Sequence, residues 1–174
     1  MSFCGNKIEI LPVIIEDDIR KTASLAEIIW HETYDKLLPP GQPDYMIEKF
    51  QSEKAMKRQI ETEGYKYFLV SAEEENTGFF ALVANSKKQG EMLISKVYLH
   101  SYFRGKGIVG KIFAFIDEYA NKNNQNRLWL TVNKENIHAQ DVYKHFGFEI
   151  CDSVVSDIGN GYVMDDYIFE KLLK

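Results

Sequence analysis

A chain of 174 residues with 45% apolar side chains can bury a substantial core, and its length fits one domain spanning 1–174 better than two. Its 21 Lys and Arg against 26 Asp and Glu leave a formal charge of −5, which disfavours nucleic acid and suits small cationic substrates. Two cysteines, Cys4 and Cys151, are too few for a disulfide scaffold and lack metal-ligand spacing, so both are expected as reduced thiols with no metal.

Ile8, Ile10, Val13 and Ile15 predict a first strand. Glu9 and Pro12 interrupt this run and Glu16-Asp17-Asp18 follows it, so it reads as neither a signal peptide nor a membrane span, and a cytoplasmic protein is the default. Asp17 or Asp18 can cap a helix running to about Thr33, with Ile19, Ala23, Ala26 and Trp30 as its buried stripe. Pro39-Pro40-Gly41 ends that helix, which makes Trp30-His31-Glu32-Thr33-Tyr34 a candidate pocket wall, and helices return over 44–50 and 52–63. Strands are predicted over 65–71, 78–84 and 92–100, as an antiparallel meander. Ile108, Ile112, Phe115, Ile116 and Tyr119 then give a helix, and Leu128 to Val132 a short buried strand, so 92–132 is a βαβ unit. A short helix over 139–146 stops at Gly147, and strands 148–155 and 162–169 flank the Gly159-Asn160-Gly161 turn.

The stretch from Lys96 to Lys111 passes from strand to helix through a turn bearing Gly105, Gly107 and Gly110 beside Arg104, Lys106 and Lys111. Glycines let backbone N–H groups converge, and with helix N-terminal amides and flanking cations the natural guest is a pyrophosphate. Gly105-x-Gly107-x-x-Gly110 also matches the dinucleotide fingerprint. The next strand ends at Val132-Asn133-Lys134 without the acid that binds a ribose, and about forty residues are too few to complete a doubly wound sheet. Downstream, Asn136 and Tyr143 are seven residues apart and share a helix edge, roughly 10 Å apart along an axis.

Arg104-Gly105-Lys106-Gly107-Ile108, followed by Leu130-x-Val132-x-x-x-Asn136-x-x-Ala139-x-x-x-Tyr143-x-x-x-Gly147-Phe148, resembles the GNAT superfamily of acyl-CoA-dependent N-acetyltransferases. The resemblance implies an α/β fold with a mixed sheet of about seven strands, mostly antiparallel with a central parallel pair, flanked by helices. It implies acetyl-CoA as co-substrate, with the pyrophosphate on the amides of Arg104 to Lys111, Ile108, Val109 and Gly110 included. The pantetheine would lie beside Val97, Tyr98 and Leu99, Asn136 would contact the coenzyme, and Tyr143 would protonate the departing thiolate. Val109 departs from the pattern, which has Gly or Ala there.

Glu32-Thr33-Tyr34, Leu128-Trp129-Leu130 and the ending Asp165-Asp166-Tyr167-Ile168-Phe169-Glu170-Lys171 are similar to bacterial spermidine/spermine acetyltransferases of the PaiA type. That likeness implies a polyamine or other small cationic amine as acceptor, with Glu32 and Tyr34 as substrate-binding candidates and Asp165 or Asp166 as further carboxylates. Acetylation of a protein N-terminus or lysine, and a non-catalytic acyl-CoA-binding module, are the alternatives. The acceptor amine must lose a proton, for which Glu91 or Glu32 acting through water are candidate bases. His31, His100, His138 and His145 form no triad-like or metal-like set. A strand through Tyr167 with an open edge would allow a homodimer.

Overall fold

The structure is a computed structural model that describes residues 7–174, so the expectation for Cys4 lies outside the described residues, while Cys151 is an exposed free thiol. Seven strands form a mixed sheet in the order β1-β2-β3-β4-β5-β7-β6. The chain gathers into two compact units, residues 7–83 with 96–112 and residues 84–95 with 113–174. No helix among the described residues is long and apolar enough to cross a membrane.

The first unit opens with β1 (Ile8–Pro12) and α1 (Glu16–Tyr34). Ile15 rather than an aspartate holds the N-cap position of α1, and Glu16, Asp17 and Asp18 lie inside the first turn, where their charge favours the N-terminal end of the helix dipole. Ile19, Ala26 and Trp30 are buried as the spacing predicts, joined by Thr22, Leu25 and Ile29. The segment expected as one helix over 44–50 divides into α2 (Gln42–Met46) and a π-helical turn, Ile47–Gln51. Ser52 then caps α3 (Glu53–Thr62) by accepting from the Ala55 amide at 3.3 Å.

β2 (Lys66–Ala72) pairs antiparallel with β1 on one side and β3 (Glu75–Val83) on the other. Tyr67 and Phe79 stack at 6.4 Å and join Ile19, Leu25, Ala26, Ile29 and Met56 in one core. The end of β4 (Glu91–Leu99) also belongs to this unit. Gly78 permits its approach, because a Cβ on Gly78 would stand 2.3 Å from the Tyr98 carbonyl oxygen.

The second unit takes the beginning of β4, the larger part of α4 (Ile108–Lys122), β5 (Arg127–Asn133), α5 (Ile137–His145), β6 (Glu149–Gly159) and β7 (Tyr162–Leu172). In α4 the buried positions are Ile108, Ile112, Phe113, Ile116 and Ala120. Phe115 and Tyr119, expected in that stripe, are only half-buried and stack on each other at 6.0 Å. β4 and β5 run parallel, as a crossover helix requires, and their register runs from Glu91↔Arg127 to Leu93↔Trp129, where it ends. From Leu130 to Asn133 the register partners of β5 lie on β7 alone. β7 is paired on both sides, by β5 and β6, so the open edge expected along Tyr167 is absent and β6 ends the sheet instead.

Candidate active site

In the first unit the predicted anion turn follows β4. Tyr98 turns toward α1, with its ring 5.8 Å from Trp30 and 5.4 Å from Phe79, while Leu99 is buried. Arg104 is not free for a phosphate: its Nε donates to the Leu99 carbonyl at 3.1 Å and its Nη2 to the Thr33 hydroxyl at 3.3 Å. Glu32 accepts from the Ser101 amide at 3.1 Å and its hydroxyl at 2.9 Å, with His100 Nε2 at 3.5 Å. Its carboxylate therefore secures the 3-10 turn Ser101–Phe103 to α1. Tyr34 is interior, 4.4 Å from the Trp30 ring.

The glycines beyond behave as their chemistry suggests. Gly105 and Gly107 have φ of 73° and 81°, in the left-handed region, and no heavy atom lies within 4 Å of where a Cβ would stand. Their backbone is thus open to a ligand. Buried Ile108 starts α4, and Val109, Gly110 and exposed Lys111 form its first turn. Lys106 lies with its ammonium 3.8 Å from the Tyr102 ring centroid. The turn thus fits an anionic group: accessible amides at a helix start, with Lys106 and Lys111 beside them.

The same unit holds an ion the sequence reading passed over. Lys96 is 6% exposed, and its ammonium donates to the Phe50 carbonyl at 2.7 Å, to Gln59 Oε1 at 3.1 Å and to the Tyr67 hydroxyl. Tyr67 in turn donates to Gln59 Oε1 at 2.5 Å. Burial brings the Lys96 ammonium down to about 7, with Glu63 pulling it up and Arg58 pushing it further down. Burial likewise raises the Tyr67 hydroxyl. The signal was legible: Lys96 falls at the same alternation as buried Met92 and Ile94.

In the second unit α5 begins two residues earlier than predicted, because Asn136 takes the N-cap and accepts from the Ala139 amide at 3.2 Å. Gly147, with φ of 87°, follows its end. Tyr143 stands half-buried among Phe113, Phe148 and Phe169, with centroids at 6.0, 6.1 and 6.1 Å. Those rings hold its orientation without enclosing it.

Glu91 is 4% exposed and meets Arg127 at 3.0 Å and Lys88 at 3.2 Å. Burial pushes its carboxyl up, but the Lys88 and Arg127 contacts outweigh that and hold it low. An ion-paired, low-pKa carboxylate is a structural tie and a poor base. Among the histidines, His31 bonds Asp35 at 2.9 Å and His100 faces Glu32, and no cluster of metal-ligating side chains occurs among the described residues.

Comparison with known proteins shows the family and the fold. The family described as "Acetyltransferase (GNAT) domain" matches residues 32–164. An uncharacterized N-acetyltransferase from the pepI 3′ region of Lactobacillus delbrueckii subsp. lactis is 22% identical over 165 residues, covering 92% of this chain and 95% of that one. A probable spermine N(1)-acetyltransferase of Bacillus subtilis subsp. natto (strain BEST195) is 29% identical over 73 residues, 41% of this chain and 48% of that protein. Among solved structures, the PaiA N-acetyltransferase of Thermoplasma acidophilum in complex with coenzyme A superposes with a TM-score of 0.76 at 19% identity, covering 95% of this chain and 99% of that one.

Proposed function

Because the chain belongs to the GNAT family of acetyl-CoA-dependent N-acetyltransferases, we propose that residues 1–174 act as one transferase domain that acetylates a primary amine of a small cationic acceptor, a polyamine first of all. The observation that carries this reading is the short β4–β5 ladder. Beyond Leu93↔Trp129 one side of β5 lacks a strand partner on β4, and that strand leads into the helix bearing Asn136 and Tyr143. Such unpaired strand groups suit a ligand that carries amides of its own. The likeness of part of the chain to a probable spermine acetyltransferase supports the acceptor class.

In this reading the amides from Gly105 to Lys111 take the pyrophosphate, and Val97, Tyr98 and Leu99 line the pantetheine. The neutral amine attacks the thioester carbonyl carbon, the C–S bond breaks, the departing thiolate receives the Tyr143 hydroxyl proton, and the proton shed by the attacking nitrogen as it becomes the amide returns to the phenolate through water. A thiol near pKa 8.5 takes a proton from a phenol near 10 only when the two are held together. The three rings around Tyr143 supply that restraint. Asn136 spends its amide oxygen on the Ala139 N–H, so its part is to fix the helix start while its amide nitrogen serves the coenzyme.

Tyr143→Phe tests the assignment. With spermidine as acceptor, release of free thiol should fall roughly 100-fold in kcat while the acetyl-CoA KM stays within about twofold. Equal turnover in the two proteins removes the general acid. Parallel assays with N-terminal and lysine peptides test the acceptor class, and transfer to peptides alone overturns it.

A further inference from the structure

Lys96 is an interior cation that the transfer step does not use. It belongs to the length of β4 past Leu93, where the register with β5 ends, so on that side no strand fixes the main chain leading through Val97, Tyr98 and Leu99 to the anion turn. β3 stays paired on the other side. With one ladder gone, the position of this length depends on β3 and on what its own side chains grip.

Lys96 grips three elements at once. Its three N–H groups go to the Phe50 carbonyl at 2.7 Å, to Gln59 Oε1 at 3.1 Å and to the Tyr67 hydroxyl, which lie on the π-helical turn, α3 and β2. Gln59 Nε2 donates to the same Phe50 carbonyl at 3.3 Å and Tyr67 to Gln59 Oε1 at 2.5 Å, so the cluster closes on itself. It closes only around an ammonium. A neutral amine has two N–H groups and a lone pair, so the Tyr67 hydroxyl would have to turn from Gln59 to that lone pair, and the cluster would lose one hydrogen bond.

All three partners of the ammonium are neutral. The charged side chains acting on it are Glu63 and Arg58 at the end of α3, which pull in opposite directions and bond each other at 2.7 Å. Glu48 and Lys49 on the π-helical turn and Lys66 on β2 are exposed, while α1 and β3 bring Ile29 and Phe79 to the core that Tyr67 joins. The rings of Tyr65 and Tyr67 lie 6.0 and 5.0 Å from the ammonium. Burial therefore dominates and leaves Lys96 at about 7.

We infer that Lys96 is a positioning residue for the coenzyme: its ammonium, bonded to Phe50, Gln59 and Tyr67, sets the open length of β4, and acetyl-CoA binding favours the protonated lysine. Two effects point the same way. The ammonium completes the cluster that holds the strand, and a positive charge in the interior attracts a polyanionic ligand where water screens little. The inference rests on coenzyme binding, not on the acceptor class or on Tyr143 as the acid.

Acetyl-CoA titrated calorimetrically without any acceptor tests it. Binding near pH 7.5 should take up a fraction of a proton, read as a dependence of the measured heat on the ionisation heat of the buffer. Lys96→Met removes this titration and keeps every other, the coenzyme's phosphates included. The ratio of variant to parent Kd should therefore fall roughly three- to tenfold from about pH 6.5 to about 8.5, as the parent loses its charge. Tyr67→Phe keeps the lysine and takes away one acceptor of its ammonium, so the pH limb should remain and move to lower pH. A side chain with a merely structural role would weaken binding equally at every pH. A constant Kd ratio between Lys96→Met and the parent, or a limb unmoved in Tyr67→Phe, overturns the assignment. Should Lys96→Met fail to fold, the shift in Tyr67→Phe decides alone. Failure to acetylate any amine would overturn the transfer reading and leave this binding result standing.

Discussion

At the residue scale, the two groups that set this chain apart are both charges in the interior, and each leaves a mark on stability. Lys96 is fully hydrogen-bonded and still sits near pKa 7, against about 10.4 for a lysine in the unfolded chain. Between those values the unfolded chain holds more protons than the folded one, so this group makes stability rise with pH from about 7 toward 10. Lys96→Met lacks the titration. Urea unfolding at about pH 7.5 and 9.5 should show the parent gaining on the variant by the order of 2 kcal/mol, and parallel pH curves would remove the buried-lysine account. Neither ion was evident from residue type. Composition gives Lys and Asp as surface residues, and only strand alternation put Lys96 inside. For Asp166 the two adjacent aspartates in β7 gave no hint of which one faces solvent; register assigns Asp165 to Lys134 and leaves Asp166 buried.

At the element scale, strands and helices were legible wherever period and punctuation agreed. The meander, the crossover helix and the Gly159-Asn160-Gly161 hairpin follow the pattern, and all three turn residues take the positive φ that Gly and Asn tolerate. The misreadings share one cause: tertiary neighbours decide what local spacing leaves open. Helical spacing admits both Phe115 and Phe113, yet Phe113 meets Phe146, Phe148 and Tyr143 and is the buried one. The edge status of β7 depends on which strand inserts where, which no local signal carries. Glu32 makes a contact that local spacing likewise does not reveal. Expected as a substrate ligand, it joins α1 to the turn after β4 through two hydrogen bonds to Ser101. Glu32→Ala should therefore loosen the loop that leads to Gly105 and raise the acetyl-CoA KM roughly three- to tenfold, as loss of one charge-assisted pair would. The spermidine KM should hardly move. Steady-state kinetics with each substrate varied in turn decide it, and a rise confined to spermidine restores the substrate-binding role.

At the scale of the whole molecule, the formal charge of −5 would act with opposite sign on the coenzyme and on the proposed cationic acceptor. The proposed polyamine would be drawn toward the protein from a distance and the polyanionic coenzyme repelled, so that in this reading local cations at Lys106 and Lys111 capture what the overall field disfavours. The field is strong only while salt is low: the Debye length is about 30 Å at 0.01 M and about 10 Å at 0.1 M. Raising NaCl across that range should lower kcat/KM for spermidine several-fold, because it screens the long-range attraction. For acetyl-CoA the two effects oppose each other, since screening weakens the repulsion along with the contacts of the turn, and kcat/KM should change less and not in parallel. If spermidine and acetyl-CoA respond alike to salt, the acidic surface has no part in choosing a cationic acceptor.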